Sequence, residues 1–322
     1  MSVAPPVPWI RRAWSRVPRS DRLTAILIIA PSVLAIGIFV YGFIAWTGYV
    51  SLTRWDGVVP DYTFVGNDNY VRLYETPRFQ ADIRNTIVFT AFFLLFATVL
   101  GFFAALLLDQ KVKAEGLFRG VFLFPMAISF IVTGIAWQWL FNPSTGLNLL
   151  ARNAGYDGPL PQWLTDPDVL LGFKLGEIEA GIPIALFPVV VAATWQLAGF
   201  TMALYLAGIR GVPEELREAA RVDGATEWQV YRKVVLPALR PVTLGVLVIL
   251  GHISLKIFDL IVAMAGSGPG FATDMPAFYM FETTFRGNFF ASGAAIAMIL
   301  LFLVSIVIIP YLRYSLRREA TL

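Results

Sequence analysis

Six long apolar runs, separated by polar segments, set the pattern of this chain. Each run can cross a bilayer, because about 20 apolar residues in a helix match a hydrocarbon core of about 30 Å. Lipid cannot pair with backbone N–H and C=O groups, so each run is predicted to be a helix. The pattern therefore predicts an all-α integral membrane protein with transmembrane helices at Leu23–Tyr49, Thr86–Leu108, Val121–Phe141, Ile184–Ile209, Val242–Ala265 and Phe289–Leu312.

The first run occupies the position of a signal peptide but exceeds its length. A signal sequence has an apolar core of about 7–15 residues, and this run is longer. We therefore expect it to be retained as a helix. The predicted membrane domain then covers residues 23–312, with short tails at 1–22 and 313–322.

Lysine and arginine are distributed unevenly between the segments that join these runs. The two tails and the segments after the second and fourth runs hold 17 basic residues, against seven on the opposite side. Positive charge favours the cytoplasmic side of a membrane, so both termini are predicted to be cytoplasmic. Three outer loops are then predicted, at 51–85, 142–183 and 266–288.

Composition narrows the possible chemistry. The chain is 57% hydrophobic and 15% charged. Soluble domains average about 45–50% apolar residues and about 25% charged residues. It has no cysteine and a single histidine, His252, which excludes thiol catalysis, disulfides and a multi-histidine metal site. The G-x-x-x-x-G-K-[ST] phosphate-binding motif does not occur in it. We therefore expect no cofactor, metal, catalytic residue or nucleic-acid partner on this chain, and energy supplied by another subunit.

The most charged segment, residues 210–240, predicts a helix–turn–helix on the cytoplasmic side. Pro213, followed by two acidic residues, suits the first turn of a helix. The pair Asp223-Gly224 breaks that helix. Thr226 is expected to cap a second helix, which Pro237 is expected to end because the residue before a proline avoids the helical conformation.

A subset of this segment keeps a fixed order and spacing: Glu218, Ala219, Ala220, Asp223, Gly224, Ala225, Leu236 and Pro237. In this order the residues resemble the loop signature of ABC importer permeases, in which Glu-Ala-Ala is followed by Gly, an aliphatic residue and Leu-Pro. The Asp-Gly-Ala form is typical of sugar permeases. Val234 stands where the family usually has isoleucine.

The resemblance implies the type I ABC importer permease fold, with the hairpin as the coupling helix that inserts into a groove on an ATPase subunit. Small residues at 219, 220 and 224 would permit close approach, and Glu218 would supply a charged contact. The implied partners are a second, non-identical permease, two cytoplasmic ATPase subunits that bind ATP and Mg, and an extracytoplasmic sugar-binding protein. The implied mechanism is alternating access across a prokaryotic inner membrane.

The implied cargo is a sugar. The stretches at 64–70, 146–148, 256–259 and 268–273 are similar to outer segments of binding-protein-dependent sugar permeases, so the resemblance covers nearly the whole chain. The residues near Lys256 and Asp259 look most like glucose/mannose-type permeases. An oligosaccharide, glycerol phosphate or a polyol is the alternative cargo.

Polar residues inside the predicted spans are candidates for the substrate pathway, because they are costly in lipid and usually functional. His252, Lys256 and Asp259 are spaced by four and three residues, which predicts one shared helical face. Trp195 and Gln196 would offer an aromatic face and an amide to a sugar ring. The structural alternatives are a Lys256–Asp259 ion pair that seals a subunit interface and ordinary packing of Trp195.

Two further expectations complete the sequence analysis. Asp274 and Glu282, on the outer side, are expected to face water. A proton-driven transporter, with His252 in a proton relay, is a rival function, but it leaves the hairpin motif unexplained. A membrane enzyme is a weaker rival, since no nucleophile–base pair is evident.

Overall fold

The computed structural model describes residues 19–110, 113–175 and 178–319. The predicted tails fall partly outside the described residues, which exclude 1–18 and 320–322 and therefore most of the basic N-terminal tail. In chain order the elements are α1 (Arg19–Ile36), α2 (Phe43–Val50), α3 (Asp68–Glu75), α4 (Pro77–Asp109), α5 (Glu115–Ala127), α6 (Phe130–Leu140), α7 (Gly146–Asn153), β1 (Val169–Leu175), β2 (Ile178–Pro183), α8 (Leu186–Arg210), α9 (Glu214–Val222), α10 (Glu227–Val230), α11 (Leu236–Ala238), α12 (Arg240–Leu255), α13 (Asp259–Met264), α14 (Pro276–Phe281) and α15 (Phe290–Glu319).

The described residues form up to six membrane spans. Four segments are long and apolar enough to cross a bilayer alone: Leu23–Val50, Pro77–Asp109, Leu186–Arg210 and Phe290–Arg313. Two bent pairs also qualify, α5 with α6 at a 97° bend and α10–α11 with α12 at a 59° bend. Counted as one span each, these pairs supply spans three and five and bring the total to six, the number that the hydropathy pattern predicts. The pair that supplies span five includes α10 and α11 of the 210–240 segment, so it begins before the predicted Val242.

Spans two and four form the centre of the bundle. Along α4, every fourth residue from Phe89 to Ala105 is buried, which is the spacing of one helical face. That face packs on α8 so closely that a Cβ at Gly101 would overlap the Thr201 side chain. The Thr201 hydroxyl donates to the Ala97 carbonyl across this contact, at 2.8 Å. Glycine and a small hydroxyl residue thus bring the two helices together.

Span one lies on the outside of this subunit. α1 and α2 are joined by a π-helical turn at Gly37–Gly42, and every described side chain from 23 to 49 is at least partly exposed. By contrast, about two thirds of the most apolar window of span four is buried. An apolar helix exposed to this degree faces lipid or another subunit.

Span three is broken where the sequence predicts one continuous helix. Ile128 and Ser129, between α5 and α6, have extended backbone angles. The Ser129 hydroxyl caps α6 by accepting a hydrogen bond from the Val132 N–H, at 3.3 Å. Unpaired backbone at membrane depth is tolerated only where protein or water covers it. The break therefore needs a partner, which α8 supplies.

Span five ends earlier than predicted. α12 stops at Leu255, and α13 begins only at Asp259. The predicted single helix over Val242–Ala265 is therefore wrong. Lys256 and Asp259, the charged residues that interrupt this apolar run, flank the break.

The outer segments carry structure that hydropathy does not indicate. α4 begins at Pro77, nine residues before the predicted start of span two, with the proline in its first turn. β1 and β2 pair as an antiparallel hairpin within the predicted 142–183 loop. The outer side thus adds helical and β elements to an otherwise all-helical membrane domain.

Candidate functional site

An exposed two-helix hairpin occupies the segment that carries the motif. α9 and α10 are separated by a turn in which Gly224 has φ +81°, a region that favours glycine. Thr226 caps α10 reciprocally with Gln229: the Gln229 N–H donates to the Thr226 hydroxyl, and the Thr226 N–H donates to the Gln229 side chain. The structure therefore has the predicted helix, turn and capped second helix.

Pro237 does not end the second helix, contrary to the sequence prediction. A π-helical turn at Tyr231–Val235 continues α10 into α11. Pro237 lies in the first turn of α11, where its missing N–H needs no partner. The chain bends only after Leu239, where α12 begins.

The hairpin presents apolar side chains to its surroundings. α9 buries none of its residues, and Val222 is 86% exposed. Trp228 on α10 is 68% exposed. Large exposed apolar residues flanked by charges are typical of a protein–protein contact surface.

The motif residues lie on this same exposed hairpin. Glu218, Ala219 and Gly224 are exposed, and no atom lies within 4 Å of a Cβ built on Gly224. Within this chain Gly224 is thus required for its backbone angle rather than for close packing. The remaining motif positions are exposed or half-buried, namely Ala220, Asp223, Ala225, Leu236 and Pro237.

Arg221 joins the two helices of the hairpin. Its guanidinium donates to Glu227 on α10 at 2.7 Å and to Glu214 on α9 at 3.0 Å. These hydrogen bonds raise the pKa of Arg221, because each carboxylate stabilises the charged guanidinium. All three side chains are well exposed, so this ion pair network is worth little stability.

The predicted charged face of span five is not formed. Lys256 follows the last residue of α12, whereas Asp259 starts α13, so with His252 they do not share one continuous helix. Lys256 and Asp259 are exposed, and within the described residues no ion pair of 4.0 Å or less joins them. His252 is half-buried on α12. The interruption places Asp259 on a different helix from His252, whereas Lys256 lies directly after the last residue of α12.

Gln196 closes the break in span three. Its side chain is 3% exposed, and its amide N–H donates to the Ile128 carbonyl at 2.8 Å. Its carbonyl oxygen is buried without a partner among the described residues. Trp195 packs edge-on against Trp137, with ring centroids 5.7 Å apart, and remains partly exposed. The Gln196 N–H thus satisfies the backbone carbonyl at the break, and the Gln196 side-chain oxygen is an acceptor without a donor among the described residues.

The expectation that Asp274 and Glu282 face water is wrong. Arg78, at the outer end of α4, donates to Asp274 at 2.5 Å and to Glu282 at 2.6 Å. Its guanidinium also lies over the Tyr279 ring, 4.4 Å from the centroid. Asp274 is fully buried, and burial raises the pKa of its carboxyl group.

Residues from α4 complete this outer cluster, and the sequence analysis missed them. Asp82 is fully buried, and the Asn85 amide donates to the carbonyls of Phe271 and Asp274 at 2.7 and 2.9 Å. The spacing of Arg78, Asp82 and Asn85, four and then three residues, is the signal that would have indicated them. They tie the outer end of span two to the segment after span five.

The fold is a bundle of bent and continuous membrane helices around a close-packed centre. An exposed two-helix hairpin follows the fourth span. This arrangement is that of a transporter subunit. Residues 97–318 match the family described as the binding-protein-dependent transport system inner membrane component. The chain belongs to this family: it is a multi-pass inner-membrane permease subunit of an ABC importer, and it is not itself an enzyme.

Named relatives span nearly the whole chain. A probable ABC transporter permease protein of Pyrococcus horikoshii is 41% identical over 295 residues, which cover 91% of this chain and 96% of the relative. A xylose/arabinose import permease of Haloferax volcanii is 34% identical over 284 residues, 87% of this chain and 84% of the relative. These matches confirm the predicted family.

A solved structure shows the same fold. A chain of a bacterial ABC transporter involved in the import of the acidic polysaccharide alginate superposes with a TM-score of 0.71 at 24% identity, over 92% of this chain and 96% of that one. The predicted type I importer permease fold is confirmed.

Proposed function

We propose that this chain forms half of the sugar pathway of an ATP-driven importer, with a monosaccharide such as glucose or mannose as its cargo. The exposed hairpin supports ATP coupling, because it presents the motif residues on a surface that the chain itself leaves uncovered. The pentose permease among the relatives supports a small sugar.

The hairpin is the proposed docking element for a cytoplasmic ATPase subunit, which would bind ATP and Mg. The exposed apolar side chains of Val222 and Trp228 would fill a groove on that subunit, and Glu218 would meet a cation at its edge. Gly224 sets the turn that holds the two helices at the angle the groove requires. The bias of 17 basic residues against seven supports placing this hairpin and both termini in the cytoplasm.

The proposed sugar pathway runs beside the breaks in spans three and five. Interrupted membrane helices expose backbone polar groups, which suit a substrate rich in hydroxyl groups. The Gln196 amide lies at the first break, and the partly exposed Trp195 ring packs on Trp137 of the helix that follows it. Lys256 and Asp259 flank the second break, with His252 one helical turn before it.

The proposal also includes the remaining partners of the importer. Span one and the break-lined side of the bundle are open, so we propose a second, non-identical permease against them. An extracytoplasmic sugar-binding protein would deliver the cargo to the outer side. ATP-driven closure of the two ATPase subunits would move the hairpins, and the pathway would open outward; hydrolysis would reset it.

The test is ATP hydrolysis by the reconstituted complex, with and without binding protein loaded from a panel of sugars. We expect one monosaccharide-loaded binding protein to stimulate hydrolysis. Glu218→Ala and Gly224→Asp should abolish that stimulation while the ATPase subunits still co-purify. Lys233→Arg, a conservative change at an exposed position of the same segment outside the motif, is the matched control and should keep most of the stimulation.

Other results would contradict either the proposed cargo or the proposed coupling role. Stimulation only by disaccharide or larger cargo would overturn the monosaccharide assignment and leave the coupling role intact. Unchanged stimulation in both hairpin variants would overturn the coupling role.

A further inference from the structure

A half-buried polar joint connects the hairpin to two membrane spans. We infer that Asp109, Arg217 and Tyr231 form this joint and act as positioning residues, carrying hairpin movement to spans two and four. The inference rests on the coupling role proposed above for the hairpin. It adds the route by which that movement reaches the pathway.

One carboxylate accepts hydrogen bonds from both halves of the hairpin. Asp109 is the last residue of α4, and its Oδ2 atom accepts the Tyr231 hydroxyl at 3.0 Å and the Arg217 guanidinium at 3.5 Å. Arg217 belongs to α9, and Tyr231 begins the π-helical turn after α10. Both halves of the hairpin are therefore bound to the end of span two.

The same guanidinium also reaches span four. Arg217 Nη2 donates to the Ile209 carbonyl at 2.5 Å, one residue before α8 ends. The last carbonyls of a helix lack partners within it, so an arginine at this position completes the helix end. A shift of α9 would pull on two helix termini together.

Burial distinguishes this joint from the other ion pairs of the hairpin. The side chains of Arg217 and Asp109 are 11% and 10% exposed, whereas Arg221 is 40% exposed and its partners more so. Ion pairs shielded from water are screened less by salt, and removing one partner leaves an uncompensated charge. The Arg217–Asp109 contact is therefore better shielded from water than the contacts of Arg221.

The two sides of α9 are divided between the chain itself and the open surface. Arg217 points toward the spans, whereas its neighbours Glu218 and Ala219 are exposed. A partner bound to the exposed side of α9 would push on a helix that Arg217 attaches to the ends of spans two and four. This arrangement is what a transmitting element needs, because force at the surface must reach a rigid attachment.

Space beside the joint gives the hairpin room to move. A cleft of about 500 Å³ lies between the hairpin and the span ends, with Asp109, Arg217 and Tyr231 in its wall. The polar joint lines this cleft, next to the apolar contacts that the buried side chains of Val230 and Val235 make. The Gln110 amide adds a further bond to the Tyr231 hydroxyl, at 3.3 Å.

The test measures sugar transported per ATP hydrolysed by the reconstituted complex. Asp109→Asn, Tyr231→Phe and Arg217→Lys should each lower this ratio at least fivefold, while binding protein still raises ATP hydrolysis and the ATPase subunits still co-purify. The double variant Asp109→Asn/Tyr231→Phe should fall no further than the lower single variant, because both changes break one joint.

Arg221→Lys is the matched control. It changes the same residue type on the same helix but disturbs only exposed ion pairs, so the transport ratio should stay within twofold of the wild-type value. A purely structural role for the joint predicts loss of assembly with an unchanged transport ratio in the complex that remains.

The outcomes distinguish a failure of the proposed joint from a failure of the proposed coupling role. A wild-type transport ratio in Tyr231→Phe and Arg217→Lys, while Glu218→Ala still abolishes stimulation, would overturn the joint alone. If Glu218→Ala and Gly224→Asp leave stimulation intact, the coupling role fails first. Tyr231→Phe removes a single hydroxyl group and decides the matter should Asp109→Asn fail to assemble.

Discussion

Buried polar side chains in this protein complete backbone and charge networks that the helices leave open. The Gln196 amide covers the carbonyl exposed by the break in span three. Thr201 bridges spans two and four, and Arg217 covers the end of span four. Gln196 and Thr201 are 68 and 104 residues from their partners, so their roles depend on packing and not on local pattern.

The outer cluster leads to a stability prediction at the residue scale. Arg78→Leu leaves the buried Asp274 carboxylate without its cation, and we expect a loss of about 3–5 kcal/mol of unfolding free energy. The measurement is denaturant-induced unfolding of the purified protein in detergent. Arg286→Leu is the control: Arg286 pairs with the same Glu282 but is 63% exposed, so its loss should cost at most about 1 kcal/mol.

A double variant checks the cause of this effect. In Arg78→Leu/Asp274→Leu the charge and its partner are both gone, so stability should recover much of the loss. Equal losses in Arg78→Leu and Arg286→Leu would show that burial of Asp274 does not decide the outcome.

At the scale of elements, small residues set how closely the helices approach. A Cβ at Gly199 on α8 would overlap the Phe122 carbonyl oxygen on α5, and a Cβ at Gly134 would lie 2.6 Å from the Ala263 Cβ. Backbone cannot give way as a flexible side chain does. Contacts made through Gly199 thus fix span three against span four.

A packing prediction follows from this contact. Gly199→Ala should separate α5 from α8 and lower the unfolding free energy by about 1–3 kcal/mol, with reduced transport. Gly120→Ala is the matched control, because nothing lies within 4 Å of its added Cβ and alanine is the better helix former. Thermal unfolding of the two variants in the same detergent would test it; comparable melting temperatures would contradict the close contact.

At the scale of the whole molecule, a single subunit leaves much of its apolar surface open. Span one buries none of the residues in its most apolar window, and the hairpin exposes large apolar side chains. A permease of this family works in an assembly with ATPase subunits and a binding protein. The open faces are consistent with that requirement and mark where the proposed partners would bind.

At the scale of the whole molecule, we predict that sugar uptake depends on ATP and not on a proton gradient. In proteoliposomes holding the whole importer and internal ATP, a protonophore should leave sugar uptake unchanged, and removal of ATP should abolish it. ATP drives the proposed cycle through the hairpin, whereas the proton-driven alternative would depend on His252, Lys256 and Asp259. Uptake that collapses with the proton gradient at constant ATP would favour the proton-driven alternative; an ionophore that carries only potassium is the control.

Several features could be predicted from the sequence because they depend on local chemistry. The number of spans follows from apolar length, since a bilayer accepts only helices of sufficient length. The hairpin follows from a breaker pair and a capping residue, Asp223-Gly224 and Thr226, whose effects act within four residues. Family membership follows from the ordered motif on that hairpin.

Other features were decided only by the tertiary structure. The break in span three is not indicated by hydropathy, because the apolar run continues through it and the compensating amide of Gln196 comes from another helix. Asp274 was expected in water because its cation, Arg78, stands 196 residues earlier in the chain. The joint at Asp109 likewise unites residues more than a hundred positions apart. Sequence determined where this chain forms helices and turns; long-range packing decided which polar groups meet, since burial and pairing exist only once the helices are assembled.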